Sequence, residues 1–353
     1  MEGGKIIGQG TYGCVFQPPL LCKRKKLPAS KVGKLTSEMD LEPEMNAYTV
    51  LSKIKEAPYY FILPEKDSTC VPKIAEHQTD PDLEKCDFVK TADPDMKVYQ
   101  LAMPYGGKDL YSVSLSQKEE IDFFVYFRHI LEAGALMLLN GFIHFDIYSR
   151  NVLIDKNNVP RLIDFGQSFS RKDISLKTIF ERWKVLKPEE SATEPPEITF
   201  LTAMYEPHHY SFEDTVKYIM PQKRIFSVIE KMLGVSVKQQ IHELAKFFQN
   251  SLAFQNRDYE KFWRLYYVGF DSWSIGVMFV QLLNKLMFSY KFIESSEWKL
   301  KKKVVLNILR KMTHSNPKER IDCVEALAIL DPFNSIYQEY GTDWVERRRA
   351  QRK

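Results

Sequence analysis

The sequence lacks the features typical of disulfide-rich, low-complexity, membrane and secreted proteins. Its five cysteines, an odd and widely spaced set, do not make the pattern of a disulfide scaffold, and we expect thiols in a reducing compartment. The 15 glycines and 18 prolines are too few for a collagen-like or low-complexity chain. No apolar run reaches the length of a membrane span, and the first residues lack the pattern of a signal peptide. These absences predict an intracellular, cytoplasmic protein with no membrane partner.

Aromatic residues are plentiful, and charge is unevenly placed. The 23 phenylalanines, 18 tyrosines and 5 tryptophans exclude a disordered chain, and 353 residues are enough for two lobes. Five cations stand at the C-terminus: Arg347, Arg348, Arg349, Arg352 and Lys353. Because the net charge is only +4, the rest of the chain is near neutral, and nucleic acid is not expected as the primary ligand. The basic tail over residues 336–353 favours a frayed, solvated end, with contact to an acidic surface as the alternative.

The pattern of the chain changes near residue 104. Short β-prone runs at residues 5–16, 59–63 and 98–103, with a helix around 44–54, predict a small β-rich lobe over residues 1–103. The stretch PYGGKDL, residues 104–110, reads as a hinge because proline and two glycines interrupt the pattern. Residues 111–335 are predicted to form a larger helical lobe, with helical periodicity over 117–138, 224–233, 237–248, 271–284 and 302–312. The predicted fold class is α+β.

A glycine array lies between the first two β-prone segments. Gly8, Gly10 and Gly13 form G-x-G-x-x-G, with Ile7 before the array and Val15 behind it. Glycines let a backbone approach phosphate oxygens and direct N–H groups at them. A plain glycine-rich turn is the alternative. A dinucleotide-binding fold would need a helix after the array, whereas this chain continues as a strand and then meets two prolines.

Two motifs that follow one another carry more specific chemistry. In IHFDIYSRNVLID, Asp146 stands five residues before Asn151, and thirteen residues later Asp164 opens D-F-G. One carboxylate can orient a hydroxyl and take its proton, while an amide oxygen and a second carboxylate can hold Mg²⁺ against nucleotide phosphates. The alternative, in which Asp146 and Asn151 only stabilise a turn, is disfavoured because both motifs occur at this separation.

With these motifs the chain resembles the eukaryotic-type protein kinase superfamily, from Gly8 to about Arg320. Further similar elements are Pro195-Pro196-Glu197 for A-P-E, Asp271, Trp273 and Gly276 for D-x-W-S-x-G, and Arg320 for the arginine that pairs with Glu197. The stretches CVFQPPLLC, VGKL and PYGG also resemble divergent protein kinases of large double-stranded DNA viruses of eukaryotes. That narrower resemblance would place the protein in the host cytoplasm or the virion.

The resemblance implies a bilobal, kinase-like fold that binds ATP and Mg²⁺ in the cleft between the lobes. It makes Asp146 the catalytic residue that takes the proton of a protein hydroxyl, and it makes Asn151 and Asp164 the metal ligands. The expected partners are therefore ATP and a protein substrate.

The resemblance also assigns the other nucleotide contacts. The glycine array, with Ile7 and Val15 at its flanks, would cover the phosphates. Met103 would be the gatekeeper at the end of the last strand of the small lobe. Pro104 would offer its carbonyl to the adenine amino group, and Gly106 would offer an N–H and a carbonyl.

The lysine that grips the α- and β-phosphates is left open between two candidates. Lys34 in VGKL and Lys31 in ASKV are three residues apart, so a regular strand points them to opposite sides. We favour Lys34. Glu44 is its expected partner, because the residues that follow Glu44 at helical spacing are apolar; Glu42 is the alternative, but Pro43 would then fall in the first turn.

Three departures from the family pattern bear on specificity and regulation. Phe145 replaces the usual arginine before the catalytic aspartate. Tyr148 stands where serine/threonine kinases carry lysine, and Arg150 is a feature of some tyrosine kinases. We favour serine/threonine specificity. About sixty extra residues, placed at 198–265, separate Glu197 from Asp271, and they are either an added structural layer or a docking surface for a partner.

Two other functions remain as alternatives. The first is a small-molecule kinase on a related fold, against which the A-P-E-like, D-x-W-S-x-G and Arg320 elements count. The second is a catalytically weak pseudokinase that acts as a scaffold, against which Asp146, Asn151 and Asp164 count. Turnover of ATP with Mg²⁺ would separate them.

Overall fold

The computed structural model describes residues 4–10, 13–65, 67–74, 82–91, 96–116, 120–183, 186–205 and 209–352. A small antiparallel sheet near the N-terminus precedes a larger, mainly helical part, which confirms the α+β class. We call residues 4–104 the N-terminal lobe and residues 105–352 the C-terminal lobe. The predicted start of helical pattern at 117–119 and Lys353 of the tail lie outside the described residues.

The N-terminal lobe is built on one five-stranded sheet of order β1-β2-β3-β5-β4, with every neighbouring pair antiparallel. Its strands are β1 (Lys5–Gly10), β2 (Gly13–Gln17), β3 (Lys31–Ser37), β4 (Thr69–Cys70) and β5 (Val98–Pro104). Its described helices are α1 (Glu38–Leu51), α2 (Ala57–Tyr60) and α3 (Asp87–Thr91). The predicted strands on both sides of the glycine array and at 98–103 are confirmed.

Two predictions for this lobe need correction. Helix α1 begins six residues before the predicted start, because Ser37 caps it by accepting the Asp40 backbone N–H at 3.1 Å. The β-prone run 59–63 is not a strand: Pro58 lies in the first turn of α2, where proline is favoured, and Phe61 makes only an isolated bridge to Leu162.

Disulfide bonds close two long loops of the N-terminal lobe. Cys14 on β2 is bonded to Cys86, just before α3, and Cys22 is bonded to Cys70 on β4. Cys323, buried in the C-terminal lobe, is the thiol that remains. The expectation of unpaired cysteines is therefore wrong for four of the five, since spacing along the chain does not show which residues the sheet brings together.

The C-terminal lobe is organised around two long buried helices. Its strands are β6 (Lys108–Asp109), β7 (Phe142–Ile143), β8 (Val152–Ile154), β9 (Pro160–Leu162) and β10 (Phe169–Ser170). Its helices outside the insertion are α4 (Leu110–Ser116), α5 (Phe123–Leu139), α6 (Leu176–Phe180), α7 (Pro196–Met204), α13 (Phe270–Leu286), α14 (Tyr290–Glu294), α15 (Ser296–Met312), α16 (Cys323–Leu330) and α17 (Thr342–Arg352). Phe127 of α5 packs on Phe279 of α13 with ring centroids 4.8 Å apart. Within the described ranges, no helix has both the length and the hydrophobicity to span a bilayer.

The inserted region is a layer of the C-terminal lobe. It holds α8 (Phe212–Asp214), α9 (Ile225–Leu233), α10 (Val237–Asn250), α11 (Leu252–Gln255) and α12 (Tyr259–Tyr266), and the predicted helices at 224–233 and 237–248 are confirmed. Phe248 stacks on Phe200 of α7 at 4.3 Å, and Phe226 meets Trp273 of α13. Its apolar faces are thus buried in the same core as α5 and α13, as the structural-layer alternative requires.

The basic C-terminal segment is folded through Arg352. Trp344 of α17 donates its indole N–H to the buried Asp322 at 2.9 Å, and Arg348 contacts the same carboxylate. Arg352 forms an ion pair with Glu325 of α16. The expectation of a frayed tail is therefore wrong, because its arginines find buried carboxylates that the sequence alone does not place beside them.

Candidate active site

The ammonium group of Lys34 joins three parts of the chain. It donates to Glu44 Oε1 of α1 at 2.5 Å and to Asp164 Oδ1, just after β9, at 2.7 Å. Burial alone would lower the pKa of Lys34, but the two carboxylates raise it above its ordinary value. Burial raises the pKa of Asp164, but the Lys34 charge outweighs it and holds that pKa below its usual range. The site therefore contains a fixed cation that bridges the N-terminal and C-terminal lobes.

The structure distinguishes between the two lysines and between the two glutamates. Lys31 lies at the beginning of β3, and its ammonium contacts Glu65 instead of Asp164. Glu42 is exposed, whereas Glu44 is buried on the inner face of α1. Lys34 and Glu44 are thus the pair that the fold brings to the cleft.

Asp146 and Asn151 share the loop between β7 and β8. The amide nitrogen of Asn151 donates to the Asp146 backbone oxygen at 2.9 Å and to Asp146 Oδ2 at 3.4 Å. Asn151 is buried, and Asp146 is half-buried. Since the amide nitrogen serves Asp146, the amide oxygen is the atom of Asn151 suited to a cation.

A buried carboxylate fixes the beginning of this loop. Asp271 of α13 accepts the backbone N–H groups of His144 and Phe145, both at 2.8 Å. Burial raises the pKa of Asp271, a shift that these N–H groups and His144 oppose. Phe145 adopts φ +66°, a conformation unfavourable for a bulky residue, so the two bonds hold a strained backbone directly before Asp146.

Two side chains from neighbouring segments carry oxygen atoms suited to a hard cation; Ile163, directly before Asp164, donates its backbone N–H to the Asn151 carbonyl at 3.0 Å. Asp164 supplies a carboxylate, and Asn151 supplies an amide oxygen; this is the donor chemistry that Mg²⁺ prefers. Asp164 adopts φ +65°, a left-handed conformation. The donor chemistry of these two side chains therefore fits Mg²⁺.

An apolar cluster lies beside the lysine at the end of β5. Met103 and Val32 are buried in it, and Val15, Leu153 and Ile163 pack against them from three other strands or their ends. Partly buried apolar side chains that converge in a cleft suit the face of an aromatic ring. The sequence analysis did not identify Leu153 and Ile163, although their places two residues after Asn151 and directly before Asp164 were a usable signal.

The glycine array is a hairpin above this cluster. Gly8 pairs with Val15 and Gly10 with Gly13, and the register shifts at Ile7, whose side chain is half exposed. The two residues at the tip lie outside the described part of the chain.

The predicted hinge residues lie where the two lobes join. Pro104 ends β5 opposite Lys31, and its neighbour Met103 pairs with Val32. Gly106 lies against the side chains of Ile62 and Leu153. The structure thus brings the hinge residues to the apolar cluster.

A second buried network supports residues 191–199. Glu197 and Arg320 form two hydrogen bonds of 2.8 Å with both side chains fully buried, as the sequence predicted. Trp273 donates to the Ala192 carbonyl and Ser274 to the Thr193 carbonyl. The next donor was not predicted: Lys223, from the insertion, donates to the Ser191 carbonyl at 2.6 Å, and nothing in its local sequence distinguishes it from a surface lysine.

Phe145 lies in an aromatic cluster. Its ring is within 6 Å of the rings of Phe169, Trp263 and Phe270. The guanidinium of Arg182 covers Phe169 at 5.1 Å. The space directly before Asp146 is therefore filled by apolar rings.

Comparison of the chain with models of known protein families gives no match. A search among curated proteins also finds no similar chain. The chemistry of the site must therefore be argued from its own groups.

Proposed function

We propose that the chain is an ATP-dependent protein kinase that transfers the γ-phosphate of ATP to a serine or threonine hydroxyl of a protein. The observation that carries the proposal is the position of Lys34, bonded to both Glu44 and Asp164 and close to the apolar cluster. A fixed cation, a metal-binding carboxylate and an apolar wall are the groups that a nucleoside triphosphate needs.

Each of these groups then has a role in phosphate transfer. Asp146 orients the substrate hydroxyl and takes its proton, and Asn151 holds the Asp146 side chain in place. Lys34 positions the α- and β-phosphates, while the hairpin of β1 and β2 covers the phosphates and excludes water. Asp164 and Asn151 would hold Mg²⁺, which would supply positive charge against the phosphates. Stabilisation of phosphate charge by preorganised groups accounts for most of the rate in this kind of reaction.

The network around Glu197 supports a protein substrate over a small molecule. Three successive carbonyls, at residues 191–193, are held by donors from α13 and from the insertion. A segment braced in this way is rigid enough to receive an extended peptide beside the catalytic loop. A small substrate would not need it.

The first prediction tests the two carboxylates. Asp146→Asn should lower kcat by about 10³-fold, because general-base catalysis is lost, and it should leave ATP binding intact. Asp164→Asn should lower both activity and the affinity for Mg²⁺. Initial rates on a generic protein substrate and on sugars and aminoglycosides, with nucleotide binding measured by calorimetry, check this.

Asp343→Asn, an exposed change on α17, serves as the control and should keep full activity. Wild-type turnover in folded Asp146→Asn would overturn the catalytic assignment. Phosphate transfer to sugars alone would favour the small-molecule alternative, and the absence of any turnover in the wild type would favour the scaffold.

A further inference from the structure

A cavity of about 580 Å³ lies between the end of the insertion and helix α17. Its walls are the turn after β10, helix α12 with the two residues after Tyr266, the loop before α16 and one face of α17. The cationic side chains around it are Arg171, Arg264, Lys318, Arg347, Arg348 and Arg352. Among the described residues, no aspartate or glutamate lines it, and no lining residue belongs to the candidate active site.

Three of these cations are held in place by hydrogen bonds to other groups of the protein. Arg348 contacts the buried Asp322 at 3.1 Å, and Arg352 is paired with Glu325. Arg264 donates to the backbone oxygen of Ile174. A guanidinium has five N–H donors in a planar fork, so Arg264, which is bonded through one nitrogen, keeps donors for a ligand. Arg352 is bonded through all three nitrogens and contributes its charge.

The other three cations are not neutralised. In the described part of the chain, Arg171, Lys318 and Arg347 have no carboxylate within ion-pair distance, and all three are exposed. Like charges that face one cavity repel one another, and a bound anion removes that repulsion. The fold therefore has an arrangement that a polyanion would stabilise.

We propose that this cavity binds a compact anion that carries several phosphate groups, either a free polyphosphorylated molecule or the headgroup of a phosphorylated lipid. Arginine forks match phosphate oxygens in pairs, and groups already held in position lose little freedom when the ligand binds. The cationic side chains converge from four segments around a concave space, which suits several phosphates close together.

Nucleic acid is the less suitable occupant. A nucleic acid strand presents its phosphates in an extended line and is usually bound along a groove or stripe of cations. Here the cations surround a cavity, and the rest of the chain is near neutral. This inference goes beyond the proposed kinase activity and does not depend on it.

The test uses the full chain and inositol hexakisphosphate as the soluble probe, with binding measured by calorimetry. Arg347→Gln and Arg171→Gln should each weaken binding by about tenfold, the loss expected for one charge-assisted contact to phosphate. Neither residue has a protein carboxylate as partner, and each variant removes one repelling charge, so the variants should melt no lower than the wild type. Higher ionic strength should weaken binding as well.

Arg349→Gln is the matched control, because Arg349 is exposed on the same helix, has the same charge and does not line the cavity. It should change the affinity by less than about twofold, since a surface charge outside the site contributes little. A second arm compares phosphatidylcholine vesicles with and without phosphatidylinositol bisphosphate. Binding to those vesicles alone, with the same ranking of variants, would identify the lipid headgroup as the source.

Three results would overturn the proposal. One is no binding of either probe by the wild-type chain. Another is an equal loss in Arg349→Gln and Arg347→Gln, which would show attraction by net charge only. The third is tight binding of a DNA duplex under conditions in which neither phosphate probe binds.

Discussion

At the scale of the residue, Lys34 shows how a charged group links the two lobes. Its partners are Glu44 on a helix of the N-terminal lobe and Asp164 in the C-terminal lobe. A buried ion pair that loses one member leaves an uncompensated charge, which is costly. The three side chains are therefore interdependent, and replacement of the lysine should affect chemistry more than a surface lysine would.

The prediction that follows compares two lysines of one strand. Lys34→Met should lower kcat/KM by at least about 100-fold, because a preorganised charge on the phosphates is typically worth ~3 kcal/mol. Lys31→Met should lower it by less than about threefold, because its ion pair with Glu65 is partly exposed and such pairs contribute little. Rates at several ATP concentrations measure both. The reverse ranking would move the phosphate-binding role to Lys31.

The sequence alone does not decide which of these two lysines contacts the nucleotide. Side chains three apart on a strand point to opposite faces, but the face toward the nucleotide depends on register. The structure pairs Val15 with Lys34 across β2 and β3, and no local pattern sets that pairing. By contrast, Asp146, Asn151 and Asp164 belong to two short motifs, so the sequence alone was enough to single them out as site candidates.

At the scale of the element, the insertion braces a segment of the C-terminal lobe. Lys223, just before α9, is fully buried and donates to the Ser191 carbonyl and to Thr199 Oγ1 of α7. Burial lowers the pKa of Lys223 to about 8, against the opposing effect of nearby glutamates. A neutral amine still donates both hydrogen bonds, so the brace does not need the charge.

The corresponding prediction concerns stability and its pH dependence. At pH 9.5, Lys223→Met should lower the free energy of unfolding by about 2 kcal/mol, because the Ser191 carbonyl and the buried Thr199 hydroxyl lose their donor. At pH 7 the loss should be smaller: the unfolded lysine binds its proton more tightly than the folded one, so the wild type gains stability as pH rises through 8 toward 10. Urea unfolding at both pH values measures the difference.

Lys238→Met, an exposed change on α10, is the control and should show no such pH dependence. An equal loss at both pH values would mean that Lys223 is buried without a lowered pKa.

Helices of the insertion were predictable because their apolar residues repeat at helical spacing. Lys223 was not, since a single lysine gains its role only from the surface that covers it.

At the scale of the whole molecule, the aromatic cluster around Phe145 bears on regulation. In kinases with an arginine before the catalytic aspartate, that arginine binds a phosphate on the activation segment, which in the proposed kinase would be residues 166–195. Phe145 instead packs on Phe169 and Trp263. The nearby Arg182 is committed to backbone carbonyls of Gln167 and Ser168, and burial lowers its pKa to about 10. The described residues at the beginning of this segment are therefore held by aromatic packing and by hydrogen bonds from Arg182.

We predict that activity does not depend on phosphorylation of this segment. The hydroxyls in question belong to Ser168, Ser170, Ser175, Thr178, Ser191 and Thr193. After phosphatase treatment, verified by mass, initial rates on a protein substrate should stay within about twofold of the untreated enzyme, because no buried cation loses a partner. A tenfold drop that rephosphorylation restores would show that another cation, such as Lys172, has taken the role.

The disulfides and the folded C-terminus are contacts between distant segments that the sequence does not predict. Cys14 and Cys86 are 72 residues apart, and the α17 arginines reach carboxylates of α16 only after the C-terminal lobe has formed. Contacts of this kind depend on tertiary structure. Local periodicity and motif spacing therefore predicted the elements and the catalytic loop but not the bonds between distant segments.

The guanidinium of Arg320 holds the two ends of the inserted region together. Arg320 bonds to Glu197, directly before the inserted region, and to the carbonyl of Gly269, four residues after it, at 3.2 Å. The two ends of the insertion are thus side by side on a single anchor. The entropy of closing a loop grows only slowly with its length, so an anchored junction tolerates loops of very different size. Arg320 therefore fixes both ends of this helical layer at one point of the C-terminal lobe.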